Sequence, residues 1–120
     1  MFYIAKWTTE LKHQQNSLFN NMQDINVQEL KDRLNKGEQL HIIDVREPYE
    51  YEEFNIGAIL IPLGDLKEQL SSIEQFKTEE LIVHCKSGNR SAAAKNFLEQ
   101  NGFLKVRSLT GGMQAYQALN

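Results

Sequence analysis

Short runs of apolar residues alternate along the chain with longer segments in which apolar positions recur at helical spacing. The apolar runs are typical of strands buried in a sheet, and they occupy 40–45, 58–61, 81–84 and 105–108. Helical spacing and helix-favouring residues cover 24–37, 47–54, 64–70, 91–100 and 113–119. This alternation predicts a three-layer α/β domain with a mainly parallel sheet.

Specific residues mark the ends of two of these helices. Asn26 followed by Glu29 has the form of a capping box in which Asn replaces Ser or Thr. Gly37 ends the same helix, and Pro48 suits the first turn of the next one. Glutamates crowd that second helix, but the helix dipole stabilises carboxylates in a first turn, so we do not interpret them as a metal site.

Residues 1–23 differ in composition from the rest of the chain. They contain several aromatic side chains among many Asn and Gln residues: Phe2, Tyr3, Trp7 and Phe19. A helix over 8–22 is one interpretation of this segment. We treat 1–23 as an N-terminal extension and 24–120 as the folded domain. The extension is either loosely packed or an arm that docks onto a partner or a second copy, since exposed aromatic residues mark interfaces.

The most informative stretch surrounds the single cysteine, Cys85. The apolar run 81–84 ends just before this residue. A polar loop containing Gly88 follows, and after it comes the segment 91–100, whose residues strongly favour a helix. A free cysteine has a pKa of about 8.5, and a helix N-terminus or nearby basic groups lower it. Cys85 therefore lies where a thiol readily becomes a nucleophilic thiolate. The simpler alternative is that a lone cysteine is a small buried hydrophobic residue.

The loop after Cys85 has the features of an anion cradle. A loop that curls over a helix N-terminus points backbone N–H groups inward, and Gly88 permits the tight turn. Lys86 and Arg90 add positive charge. Lys86 either steers anions towards the site or is simply solvated. Arg90 either holds an anionic substrate or folds back to brace the loop.

Two charged residues follow another predicted strand. In open α/β sheets, ligands bind beyond the carboxyl ends of the strands. Asp44 and Arg46 lie at that end of the run 40–45, as Cys85 does at the end of its own strand. They either contact the Cys85 loop or form an ion pair and turn hydrogen bonds that fix the loop, and we favour the second role.

Composition narrows the functional classes. The chain has 120 residues, of which 41% are hydrophobic and 24% charged, as in ordinary globular domains. A net charge of -3 argues against binding to nucleic acid or to an anionic membrane. No run of about 18 apolar residues predicts a membrane span, and the N-terminus lacks the apolar core of a signal peptide. One cysteine cannot form an internal disulfide, so we expect a reducing, cytoplasmic location.

Five motifs in this chain resemble those of the rhodanese-like domain family. They are Ile43-Asp44-Val45-Arg46-Glu47-Pro48-x-Glu50-Tyr51, Gly57-Ala58-x-x-Ile61-Pro62-Leu63, Cys85-x-Ser87-Gly88-x-Arg90-Ser91, Gly102-Phe103 and Leu109-x-Gly111-Gly112. They follow the family's order and cover the segment 24–119. There are two departures: the turn Asn55-Ile56-Gly57-Ala58 is one residue short and lacks a common His, and Tyr116 stands where Trp is common. Neither departure removes a residue that the family's mechanism needs.

The resemblance implies a single-domain sulfurtransferase whose parallel sheet has five strands and helices on both faces. Cys85 would take a sulfane sulfur from a small anion such as thiosulfate, become a persulfide, and pass the sulfur to cyanide or a thiol. No metal and no organic cofactor is expected. The residues expected to bind the substrate are Lys86, Ser87, Gly88, Asn89 and Arg90. Those expected to support the loop are Asp44, Arg46 and Ser91.

Three alternative functions stay open. A cysteine phosphatase or arsenate reductase has a similar loop, but five residues separate its Cys from its Arg, whereas four separate Cys85 from Arg90. The shorter loop suits a single sulfur atom better than a tetrahedral oxyanion, and His84 is then simply the last residue of a strand. A non-catalytic binding or regulatory module would be expected to lose the cysteine. A relay that passes sulfur to an acceptor protein uses the same chemistry as the small-molecule enzyme.

Overall fold

The structure, a computed structural model, describes residues 22–119. The α-helices are α1 Val27–Asn35, α2 Pro48–Glu53, α3 Asn89–Gln100 and α4 Gly112–Ala118. The strands are β1 His41–Asp44, β2 Ile59–Leu60, β3 Glu80–His84 and β4 Lys105–Ser108. Two 3-10 helices, Leu63–Asp65 and Leu70–Phe76, lie between β2 and β3. Of the N-terminal extension 1–23, only residues 22 and 23 are described. The helix expected over 8–22 therefore lies outside the described residues except for residue 22.

The strands form one parallel sheet in the order β2-β1-β3-β4. The described residues contain four strands, where the family resemblance implies five. At the edge of β4 the fifth is reduced to a single parallel bridge between Ile25 and Leu109. The bridge stops there because the next residue, Asn26, already caps α1 through a 2.8 Å hydrogen bond from the Glu29 N–H.

Each face of the sheet has its own hydrophobic core. Ile42 and Ile82 pack on one face with Leu30 of α1 and Met113 of α4. Their neighbours along the strands pack on the other face with side chains of α3 and of the second 3-10 helix: Ile43, Leu81 and Val83. Neighbouring residues of a strand point to opposite faces, so fully apolar strands require helices on both faces. The predicted three-layer α/β architecture with a parallel sheet is confirmed.

The segment after β2 differs from its prediction. An α-helix over 64–70 is wrong, because the chain there forms the two 3-10 helices with a turn between them. Leu70, Ile73 and Phe76 explain the difference, since they recur every three residues. This is the period of a 3-10 helix, and it brings all three side chains towards the same core.

The helix after Cys85 begins earlier than its sequence pattern indicates. α3 starts at Asn89 rather than at Ser91, so Asn89 and Arg90 belong to its first turn and only residues 86–88 form a loop. α3 is also the longest helix among residues 22–119. Its 12 residues fall short of the roughly 20 that cross a bilayer, and no helix in this part of the chain is long and apolar enough to do so.

Leu98→Ala tests the core that fixes α3 against the sheet. Leu98 is fully buried, so its truncation should lower the free energy of unfolding by about 2–5 kcal/mol through lost burial and a residual cavity. Denaturant titration measures this loss. Ile59→Ala is the control, because Ile59 lies on the edge strand β2 with 45% of its surface exposed. Equal losses in the two variants would contradict the assigned core.

Candidate active site

Cys85 follows β3 directly at the carboxyl edge of the sheet. Its residue surface is only 1% exposed. The Met113 N–H donates to the Cys85 carbonyl and the Gln114 N–H donates to the Lys86 carbonyl, each at 2.9 Å. The first turn of α4 therefore holds the backbone on both sides of the Cys85–Lys86 peptide bond.

The thiol sits at the N-terminal end of α3. Gly88 precedes α3 with a φ of 112°, a conformation that favours glycine, and no side chain caps this helix. The free N–H groups point at sulfur instead: Gly88 N lies 3.1 Å and Ser91 N 3.3 Å from Sγ. Two backbone donors therefore converge on the thiol, and the binding of an anion by this loop stays a prediction.

The pKa of Cys85 reflects two opposed effects. Burial disfavours the charged thiolate and by itself raises the pKa. Hydrogen bonds from the Ser91 N–H and hydroxyl and from the Gly88 and Ser87 N–H groups act in the other direction and together outweigh burial. The net result is a pKa below the ordinary value of a thiol, which favours a nucleophile at neutral pH.

Two buried hydroxyls, those of Ser91 and Ser108, form a hydrogen-bonded pair next to the Cys85 sulfur. Ser91 Oγ lies 3.6 Å from Cys85 Sγ and 3.1 Å from the Gly88 carbonyl. Ser108 of β4 approaches Ser91 Oγ to 2.7 Å. With the thiol protonated, Cys85 Sγ donates to Ser91 Oγ and the Ser91 hydroxyl donates to the Gly88 carbonyl. Once the thiol has lost its proton, the Ser91 hydroxyl can donate to sulfur instead, and a Ser108 hydroxyl that donates to Ser91 Oγ strengthens that bond. Sequence reasoning included Ser91 but missed Ser108, because only the β3–β4 pairing brings β4 beneath the loop.

Arg90 braces the loop through an ion pair with Glu50. Its Nη1 and Nη2 lie 2.7 and 2.9 Å from the two carboxylate oxygens of Glu50 in α2. The hydrogen bonds from Arg90 lower the pKa of Glu50 to about 2 against the opposing effect of burial. The Glu50 carboxylate also accepts the Glu47 N–H at 2.9 Å. Sequence reasoning missed Glu50 as a partner, although it lies in the first motif of the family resemblance.

Asp44 and Arg46 pair with each other rather than with the Cys85 loop. The Asp44 carboxylate accepts hydrogen bonds from the backbone N–H and the guanidinium of Arg46 at 2.8–3.1 Å. Arg46 Nη2 also donates to the Phe54 carbonyl at 2.7 Å. The pair is almost fully buried, and it ties the end of β1 to the end of α2. Its contribution to the site is therefore to hold the helix that carries Glu50.

The other loop residues differ in their surroundings. The side chains of Lys86, Ser87 and Asn89 are exposed at the rim of the site, whereas Gly88 lies beneath them. Gly112 at the start of α4 sits so close to the loop that a Cβ there would lie 2.5 Å from the Lys86 carbonyl carbon. That position requires glycine, because any side chain would displace the loop.

Within residues 22–119, no group of three or more His, Cys, Asp or Glu side chains is arranged to hold a metal ion. His84 is the last residue of β3 and is fully buried. Its Nε2 lies 3.7 Å from Asp44 Oδ2, and neither ring nitrogen makes a hydrogen bond in the described part of the chain. Burial lowers the pKa of His84 despite the nearby carboxylate of Asp44, which keeps the imidazole neutral.

Comparison with known proteins agrees with this geometry. A family model described as "Rhodanese-like domain" matches residues 26–119. The chain belongs to this family. The rhodanese-like domain found here is also similar to a solved structure of a rhodanese-like domain protein from Staphylococcus aureus, with a TM-score of 0.71 and 35% identity over 79% of this chain and 91% of that one.

Two curated relatives come from Bacillus subtilis. A protein named "Putative sulfurtransferase YtwF" is 34% identical over 97 residues, which span 80% of this chain and 91% of that protein. A protein named "Putative sulfur carrier protein YrkF" is 34% identical over 92 residues, or 76% of this chain. The match spans only 49% of YrkF, about half its length. The relatives support membership of a rhodanese-type sulfurtransferase family.

Glu50→Gln tests the brace between α2 and the rhodanese loop. The folded protein lowers the pKa of Glu50, so its contribution to stability is present above the ordinary value of 4.5 and is lost as pH falls towards about 2. We expect the variant to be about 1–2 kcal/mol less stable at neutral pH, with the difference closing across that window. Denaturant unfolding at several pH values measures it. Glu52→Gln, an exposed change on the same helix, should show no such closure.

Ser108→Ala tests the buried hydroxyl pair. Without the Ser108 hydroxyl, the Ser91 hydroxyl is a weaker donor to the Cys85 thiolate, so the pKa of Cys85 should rise. The pH dependence of alkylation by iodoacetamide reports this value directly. Ser71→Ala, at an exposed serine far along the chain, should leave the midpoint in place. An unchanged midpoint in Ser108→Ala would show that the pair is only structural.

Proposed function

We propose that this protein moves a sulfane sulfur from thiosulfate to cyanide or a thiol through a persulfide on Cys85. The observation that carries the proposal is a buried thiol that receives the Gly88 and Ser91 N–H groups at the N-terminus of α3. These donors favour a thiolate before sulfur arrives, and they are oriented to stabilise negative charge without reorganisation.

The first half-reaction is a displacement at sulfur. The Cys85 thiolate attacks the outer sulfur of thiosulfate, the new S–S bond forms, and the bond to the central sulfur breaks. Sulfite leaves with the electron pair, so charge and atoms balance without an oxidant or a base. The side chain of Lys86 is exposed and has no ion-pair or hydrogen-bond partner in the described part of the chain, so it is suited to attract the dianion.

The second half-reaction returns Cys85 to its starting state. A nucleophilic acceptor attacks the outer sulfur of the persulfide, and the Cys85 sulfur leaves as the thiolate that the N–H groups already stabilise. Cyanide and thiols are both suitable nucleophiles. An acceptor protein remains the second candidate, and the sulfur carrier name of the relative YrkF favours it. Because Cys85 must stay reduced, we place the reaction in the cytoplasm.

The phosphatase alternative fits the site less well. A phosphatase would need the loop arginine to bind the oxyanion, whereas Arg90 gives both terminal nitrogens to Glu50. The binding-module alternative gives no reason for a thiol with a lowered pKa at a helix N-terminus. A phosphate ester that the protein hydrolyses would nevertheless favour the phosphatase.

Intact mass measurement after brief exposure to thiosulfate tests the proposal. The protein should gain one sulfur atom and lose it when cyanide is added. Cys85 is the only cysteine, so the location of a persulfide is unambiguous. Cys85→Ala should gain no sulfur and should reduce thiocyanate formation to the uncatalysed rate while its circular dichroism stays unchanged. Sulfur transfer that survives in this variant would overturn the mechanism.

A further inference from the structure

A cleft of about 230 Å³ opens beside the Cys85 loop between α2 and α4. It borders the loop in two ways. Lys86, the residue after Cys85, lines it, and so does Glu50, the partner of Arg90. Pockets for drug-sized ligands have volumes of about 300–1,000 Å³. This smaller cleft therefore suits a ligand the size of one or two amino acids.

The cleft contains one positively and one negatively charged side chain that form no ion pair within the described part of the chain. Lys86 and Glu53 both line it, and neither side chain has an ion-pair or hydrogen-bond partner in the described part of the chain. The side-chain amides of Gln114 and Gln117 line the α4 side and likewise have no hydrogen-bond partner within residues 22–119. By contrast, Arg46 and Glu50, which also line the cleft, are engaged in internal pairs.

Apolar side chains also line the cleft. The rings of Tyr49 and Phe54 and the side chain of Met113 contribute to the same walls. Tyr49 is 65% exposed, more than any other large hydrophobic residue among residues 22–119. An exposed aromatic ring in the wall of the cleft can cover the carbon part of a small ligand.

We propose that this cleft binds the sulfur acceptor and selects an amino-acid thiol such as cysteine, with its carboxylate at Lys86 and its ammonium group at Glu53. The inference rests on the proposed function and adds the chemical class of the acceptor. A cation and an anion without internal partners match the two charges of a zwitterion. A cleft that binds simple anions would not be expected to carry the Glu53 carboxylate, because that group would repel them.

The transfer that this binding serves is balanced. The acceptor thiol gives its proton to solvent, and its thiolate attacks the outer sulfur of the Cys85 persulfide. A bond forms between the acceptor sulfur and the outer sulfur, and the bond from that sulfur to Cys85 breaks. The electron pair stays on Cys85, and the acceptor leaves as a persulfide.

Single-turnover reactions of persulfide-loaded protein test the charge assignments. The acceptors are cysteine, cysteamine, which has only the ammonium group, and 3-mercaptopropionate, which has only the carboxylate. Glu53→Gln should lower the ratio of the cysteine rate to the 3-mercaptopropionate rate about threefold, the scale of one exposed ion pair. Lys86→Gln should lower the ratio of cysteine to cysteamine rates by a similar factor. Glu52→Gln, at an exposed residue outside the cleft, should leave both ratios unchanged.

Unchanged ratios in Glu53→Gln and Lys86→Gln would overturn the proposal, as would equal slowing with all acceptors. Failure of the protein to load with sulfur, seen by intact mass, would overturn the proposed function instead. Binding of unreactive S-methylcysteine then tests the cleft separately. Calorimetry should show binding to the unloaded protein that Glu53→Gln weakens about threefold and Glu52→Gln does not, and absence of binding to the unmodified chain would exclude the site.

Discussion

Backbone N–H groups that converge on the Cys85 sulfur are the interaction on which the rest of the site depends. They converge because three constraints act on one short segment. β3 ends at His84, Gly88 turns the chain with a positive φ, and α3 begins at Asn89 without a side-chain cap. A serine or aspartate cap would use the donors that now reach sulfur. The uncapped helix end is therefore what leaves these donors available to a charged ligand.

Charged side chains play a smaller part in the site than the sequence indicates. The loop carries Lys86 and Arg90, but Arg90 is neutralised by Glu50, and Arg46 is neutralised by Asp44. Burial opposes the thiolate at Cys85, and fixed dipoles rather than a neighbouring cation overcome that opposition. The two ion pairs position helices instead. The Arg90–Glu50 pair holds the first turn of α3, and the Arg46–Asp44 pair holds α2, which carries Glu50.

Local signals account for what the sequence predicted correctly, and long-range pairings account for most of what it did not. The strands and the location of Cys85 follow from apolar runs and a glycine loop that can be recognised within a few residues. The contact from Arg90 to Glu50 spans 40 residues and that from Ser91 to Ser108 spans 17, so neither could be chosen among many possible partners. The error over 64–70 has a local cause, because the spacing of four residues between Leu66 and Leu70 is typical of an α-helix, whereas from Leu70 onwards the core residues recur every three.

Gly112 gives the site a dependence on the order of synthesis. Its lack of a side chain lets α4 approach the Lys86 backbone, and the next two N–H groups hold the carbonyls of Cys85 and Lys86. The nucleophile precedes α3, but these two hydrogen bonds come from α4, which follows α3 in the chain. A nascent chain that has just completed α3 therefore carries Cys85 without the contacts that hold the backbone of its loop. Those contacts form only once α4 has been made and docks.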